Sequence, residues 1–157
     1  MSTTLHRGDY SISTDVERLD VPAIHAYLRR SYWSPGVPIA IVERAVANSL
    51  CFGLFHRQDQ VGLARVITDR ATFAYLSDVY VLESHRGQGL SKWLLEAIQG
   101  HKDLKGLRRF MLATQDAHGL YSQFGFASLA NPSRMMEIHN ADVYRESEPM
   151  NPADGGR

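Results

Sequence analysis

Residues Phe73 to His101, FAYLSDVYVLESHRGQGLSKWLLEAIQGH, constrain the fold more than any other stretch of the chain. The run from Phe73 through Leu82 is apolar, β-branched and aromatic. A polar break from Glu83 to Gly89 follows, containing Gly87 and Gly89, and then an amphipathic run from Leu90 to Ile98. The pattern is strand, tight turn, helix. Such a turn leaves backbone N–H groups unpaired at a helix N-terminus, where they and the helix dipole favour an anion. Gly87 and Gly89 let the main chain come close to that anion, and Arg86 adds a forked cationic donor suited to phosphate. This is a phosphate-cradling turn, not yet an activity.

At 157 residues the chain is the length of one domain and can bury a core without staples. Lys+Arg and Asp+Glu number 17 each, so the formal net charge is zero, which argues against a partner that is a nucleic acid. Lys102, Lys105, Arg108 and Arg109 make only a short local patch. The single cysteine, Cys51, excludes an internal disulfide and reads as a small core residue in the run LCFGLF. The seven histidines form no H-x-x-x-H pair and no Cys/His cluster, so no metal is expected. No signal pattern opens the chain and no apolar segment approaches spanning length. The expectation is a soluble, cytoplasmic protein with no membrane partner.

Residues 1–8 read as loose and Asp9–Thr14 as a first strand. Asp20 is an N-cap with Pro22 in the first turn of a helix ending near Arg30. Ser31–Pro38 is a loop carrying Tyr32 and Trp33, two large aromatics that either plug the core or line a pocket. Ile39–Asn48 reads as a second helix, and Leu50–His56 and Val61–Thr68 as an antiparallel hairpin. The strand Thr72–Leu82 is apolar on both parities, as a central strand would be. After the glycine turn, Leu90, Trp93, Leu94, Ala97 and Ile98 form the buried stripe of a helix. Arg109–Ala113 is its parallel neighbour through a helical crossover. Ala117–Phe124 is a short helix ended by Gly125, and Phe126–Leu129 and Met135–Ile138 read as late strands. From Asn140 onward the composition is polar and rich in Pro and Gly, as in disordered tails. The order specifies a mixed-sheet α/β domain.

A dinucleotide fingerprint needs a third Gly or Ala where Lys92 stands, and a P-loop needs Gly-Lys-Ser/Thr at its end. Neither is present. What remains is R-x-x-G-x-small, as Arg86, Gly89 and Ser91, directly after a hydrophobic strand. Here the sequence resembles the GNAT superfamily of acetyl-CoA-dependent N-acetyltransferases, whose signature is Q/R-x-x-G-x-G/A. Ser91 departs from the usual Gly or Ala. The family's A-x-x-L-Y-x-x-x-G-F is matched by Ala117, Leu120, Tyr121, Gly125 and Phe126, and Thr114 stands where many members carry Asn.

The resemblance implies a single α/β domain over residues 1–139, and the composition implies a disordered tail at 140–157. Its GNAT-like sheet would be mixed and mostly antiparallel, with a central splayed parallel strand pair and flanking helices. It implies acetyl-CoA as cosubstrate, its pyrophosphate on the N–H groups of Arg86, Gly87, Gln88, Gly89, Leu90 and Ser91. Val79 and Val81 would hold the pantetheine arm through their backbone. Tyr121 matches the position of the proton donor to the thiolate; its alternative is a buried, packed tyrosine. Asp78, a carboxylate inside an apolar strand, is the candidate base, an anchor for the substrate ammonium, or a structural aspartate bonded to backbone or to an arginine. Glu83 and His118 are further candidates. Tyr32, Trp33 and Tyr80, with Phe73, could frame an acceptor pocket or be ordinary core residues; a small-molecule amine or amino acid is the favoured acceptor, with protein N-termini also open. A homodimer is open to such a fold without any sequence feature that establishes it. A non-catalytic acyl-CoA-binding sensor on the same fold is the alternative function.

Overall fold

The computed structural model describes residues 2–145. Six strands form one sheet in sequence order: β1 (Thr4–Arg7), β2 (Tyr10–Ser13), β3 (Leu50–His56), β4 (Asp59–Thr68), β5 (Phe73–Val81) and β6 (Arg109–Leu112). Neighbours pair antiparallel except β5 and β6, which run parallel. Helices α1 (Val21–Leu28) and α2 (Ile39–Ala47) cover one face, where Ile24, Leu28, Val42 and Val46 meet Cys51, Leu63 and Tyr80. Helix α3 (Leu90–Gly100) covers the other, with Leu90, Trp93, Leu94, Leu95, Ala97 and Ile98 against Phe52, Val66 and Leu76. The short helix α4 (His118–Ser122) closes the β6 end. The mixed, mostly antiparallel α/β domain is as expected.

Asp20 caps α1 as its sequence implies, accepting from the Ala23 N–H at 3.0 Å. Three local expectations are corrected. Thr4–Arg7 is a strand, not loose chain: all four side chains are exposed, so no apolar pattern signals it, and the ladder to β2 supplies its backbone bonds. Phe126–Leu129 and Met135–Ile138 are not strands. Met136 and Ile138 are fully exposed, and only Phe126 finds the core, edge-on to Phe110 at 5.3 Å. An apolar dipeptide repeat makes a strand only where a ladder is offered on the right side. Residues 140–145 make turns, with Arg145 N–H donating to the Asp142 carbonyl and Tyr144 packed on the α1/α2 cluster. The rest of the anticipated tail, residues 146–157, lies outside the described residues.

Among the described residues no helix is long and apolar enough to cross a membrane, and no group of three His, Cys, Asp or Glu is placed to hold a metal ion. Cys51 is buried, and burial pushes its thiol up to about 12. Native protein at pH 8 is therefore expected to leave a disulfide thiol reagent unreacted, with one thiol titrating only after denaturant is added. Stoichiometric labelling of the folded protein would contradict that packing.

Candidate active site

Strand β5 changes face part-way along. Ala64 lies opposite Val79 and Val66 opposite Leu76, so Ser77 and Asp78 together face Arg65. Two residues against one is a β-bulge. Before it, Ala74 and Leu76 point into the α3 side of the core; after it, Val79 and Val81 do. Both parities of the sequence are apolar because the parity itself switches, with Tyr80 turned to the α1/α2 side. Pairing with β6 ends at Leu76 and Leu112, while β5 continues to Val81. The two strands thus part, and a cleft of about 430 Å³ opens between Tyr32, Trp33, Ser77, Val79, Thr114 and Tyr121.

Beyond Val81 the chain enters the glycine turn. Gly87 and Gly89 have φ of 81° and 75°, the left-handed region where a side chain is strained. The Arg86 N–H is used by the Glu83 carbonyl, and the first bond of α3 runs from Trp93 N–H to the Gly89 carbonyl at 3.0 Å. Between them the N–H groups of residues 87–92 donate to no described residue. All of these residues but Gln88 border a hollow of about 310 Å³, lined also by Val81, His85, Arg86 and Leu120. Arg86, expected on the anion, borders the hollow, and its guanidinium is also engaged: Nε donates to the Val81 carbonyl at 2.9 Å and Nη2 to the Tyr27 hydroxyl at 3.0 Å. It straps the turn to the end of β5 and to α1, and the N–H groups of the turn are its unpaired donors. Gln88 reaches the Tyr10 hydroxyl at 3.3 Å, and that hydroxyl pairs with His85 Nδ1 at 2.8 Å.

Asp78 is 5% exposed and both its oxygens are engaged. Oδ2 accepts from Arg65 Nε at 2.7 Å and Oδ1 from the Trp33 indole N–H at 2.7 Å. Arg65 spends its other nitrogens on the Ser49 and Ser77 hydroxyls, at 3.0 and 2.9 Å. The carboxylate therefore aims Trp33, which stands at the cleft edge-on to the exposed Tyr32 with ring centroids 5.0 Å apart. Of the aromatics expected around an acceptor, Tyr80 is not at the cleft. It is buried beneath it, stacked on Tyr27 at 3.9 Å, and burial pushes its phenol up. Phe73 lies at the far end of β5, beside Arg108 and Arg109. Glu83 is held by Arg30 through bonds of 2.8 and 3.1 Å, which lowers its carboxyl to about 2. His118 opens α4 and is exposed.

Tyr121 comes to the cleft from α4, whose N-terminus is tied by the Ala117 N–H to the Thr114 hydroxyl at 3.1 Å. Its ring packs edge-on to Phe126 at 6.0 Å, and burial pushes the phenol up, so it carries its proton at neutral pH. Sequence reasoning missed Arg65. Its signal was a lone arginine within VGLARVIT, one hairpin away from a lone aspartate within FAYLSDVYV, but only the bulge sets the two opposite each other.

Residues 47–128 match the model of the acetyltransferase (GNAT) domain. The chain is also 38% identical to a candidate acetyltransferase of Gibberella zeae over 141 residues, spanning 74% of this chain and 78% of that protein. The chain belongs to the GNAT family of acetyltransferases. A solved GNAT-family candidate acetyltransferase from Xanthomonas campestris pv. campestris superposes with a TM-score of 0.85 at 48% identity, covering 88% of this chain and 99% of that one. An Elizabethkingia anophelis GNAT acetyltransferase, solved with acetyl-CoA bound, shares the fold at a TM-score of 0.58 and 13% identity, over 77% of this chain and 78% of its own. The resemblance carried by Arg86–Ser91 and Ala117–Phe126 is thus borne out at the level of family. Within the GNAT fold of this chain, Val79 and Tyr121 border the cleft while Val81 and Leu120 border the adjoining hollow.

Proposed function

We propose that this protein moves an acetyl group from acetyl-CoA to a primary amine held in the same complex. The observation that carries the reading is the open side of β5. Past the last pair with β6 it runs from the cleft at Val79 to a turn of unpaired N–H groups. The residues fit the ligand. Donors of residues 87–92 at the start of α3 suit a pyrophosphate, with Lys92 adding charge. The side of β5 that β6 leaves unpaired at Val79 suits an extended arm carrying amides, which can add to a strand edge; the Val81 carbonyl already accepts from Arg86. Acetyl-CoA would supply an activated thioester. The chain supplies Tyr121, a protonated phenol that can hand its proton to the departing sulfur. Asp78, through Trp33, positions the wall against which the amine lies.

Calorimetric titration with acetyl-CoA, followed by free-thiol release in the presence of an amine panel, tests the proposal. Saturable binding and amine-dependent release are expected. Absence of binding would overturn the reading, and binding without release for any amine would replace it with the acyl-CoA sensor.

Gly89→Ala probes the turn separately. A Cβ there would touch nothing within 4 Å, so the substitution acts only through the left-handed backbone. That conformation costs a non-glycine residue about 1–2 kcal/mol. Relaxing it would turn the donors apart, weakening acetyl-CoA about tenfold. Gly89→Asn, which tolerates the conformation better, should weaken it less. Equal affinity in all three proteins, by the same titration, would detach the turn from acetyl-CoA binding.

A further inference from the structure

The cleft beside Tyr121 is bordered by aromatic rings and neutral polar groups. Tyr32, Trp33 and Tyr75 supply the rings, and Ser77, Thr114 and Gln115 the polar atoms; no charged side chain among the described residues lines it. The charges nearby are committed. Asp78 is closed between Arg65 and Trp33, and Glu83 is held by Arg30. Tyr121 retains its proton because burial raises its phenol. Asp116, close enough to act on the Tyr121 charge, and His118 are exposed on the approach to α4, outside the cleft lining.

An ammonium brought into such a cleft can rest against an aromatic face, but a ring cannot take its proton. Until that proton leaves, the nitrogen has no lone pair for attack. A second charge on the acceptor would lose its hydration with no counter-charge to meet it. We infer that the acceptor is a primary amine with an uncharged aromatic body, which sheds its ammonium proton to water before reaching the thioester. This rests on the acetyl-transfer reading above. The neutral nitrogen forms the C–N bond to the acetyl carbonyl carbon as the C–S bond breaks. The Tyr121 proton passes to the sulfur, the surplus proton on nitrogen leaves to water, and Tyr121 is reprotonated from water. The products are the amide and the free thiol.

The test uses the full chain with ring-substituted benzylamines of graded basicity, and with phenylalanine and spermidine as acceptors bearing a second charge. At saturating acetyl-CoA, kcat/KM for each benzylamine should rise about tenfold per pH unit up to that amine's own pKa, the inflection moving along the series. Phenylalanine and spermidine should react at least about tenfold more slowly at matched neutral-amine concentration. Without acetyl-CoA, benzylamine should quench the fluorescence of Trp33, more tightly at higher pH, and the quench should vanish in Trp33→Phe. An inflection fixed at one pH across the series, or one abolished in Asp116→Asn, identifies a base on the protein and overturns the inference. So does a preference for phenylalanine or spermidine while acetyl-CoA binding and transfer persist. Loss of acetyl-CoA binding itself would instead overturn the acetyl-transfer reading, and this inference with it.

Discussion

Replacing Tyr121 by phenylalanine is expected to lower turnover by about 100-fold or more, the usual worth of a positioned proton donor, while acetyl-CoA affinity changes little. The ring remains, and with it the contact to Phe126; only the hydroxyl is removed. The loss should therefore appear in kcat, because the proton is needed only once the C–S bond is breaking. Single-turnover thiol release measures the chemical step, and calorimetry measures the affinity. Unchanged turnover would take Tyr121 out of the chemistry. An equal loss in affinity and rate would make it a wall of the cleft.

Arg65→Ala carries the largest expected cost in stability. The ion pair with Asp78 is close to fully enclosed, with side-chain exposures of 13% and 7%. Removing the guanidinium leaves a buried carboxylate with only the Trp33 indole as partner and takes a donor from the Ser49 and Ser77 hydroxyls, of which Ser49 keeps its bond to the Ala45 carbonyl. Breaking a buried pair from one side costs about 3–5 kcal/mol. For a domain of this size that is a fall in Tm of about 6–20 °C. Arg65→Lys should recover only part of it, because an ammonium cannot reproduce the three directions of the guanidinium fork. Asp78→Asn keeps an acceptor for Trp33 and should cost less. Thermal unfolding ranks the three variants. A loss below about 1 kcal/mol for Arg65→Ala would mean the pair behaves as a surface salt bridge.

The signals that were legible are local in the chain. The strand, glycine turn and helix from Phe73 to His101 lie in one continuous segment, and each part has its own marker: β-branched and aromatic residues, two glycines at positive φ, and a helical stripe. Tyr121 was legible because its helix and the closing Gly125 are contiguous as well. The signals that failed depend on what lies alongside. Thr4–Arg7 has no apolar face and is a strand because β2 offers it a ladder. Met135–Ile138 has apolar residues and no such ladder.

The amino-acid sequence, taken alone, determined the family, the strand–turn–helix and four of the residues at the cleft, Tyr32, Trp33, Val79 and Tyr121, since backbone propensity and glycine placement act over a few residues. It left Asp78 open between a base, an anchor for an ammonium and a structural partner of backbone or of an arginine. Only the tertiary structure decided that. The bulge opposite Arg65 brings two strands into the register that closes the ion pair, and the loop between α1 and α2 delivers Trp33 to the other oxygen. The same holds for Arg86, whose charge was legible but whose partners, Val81 and Tyr27, come from separate elements. A side chain's chemistry is written at its own position. Its commitment is set by neighbours distant in sequence, which only folding assembles.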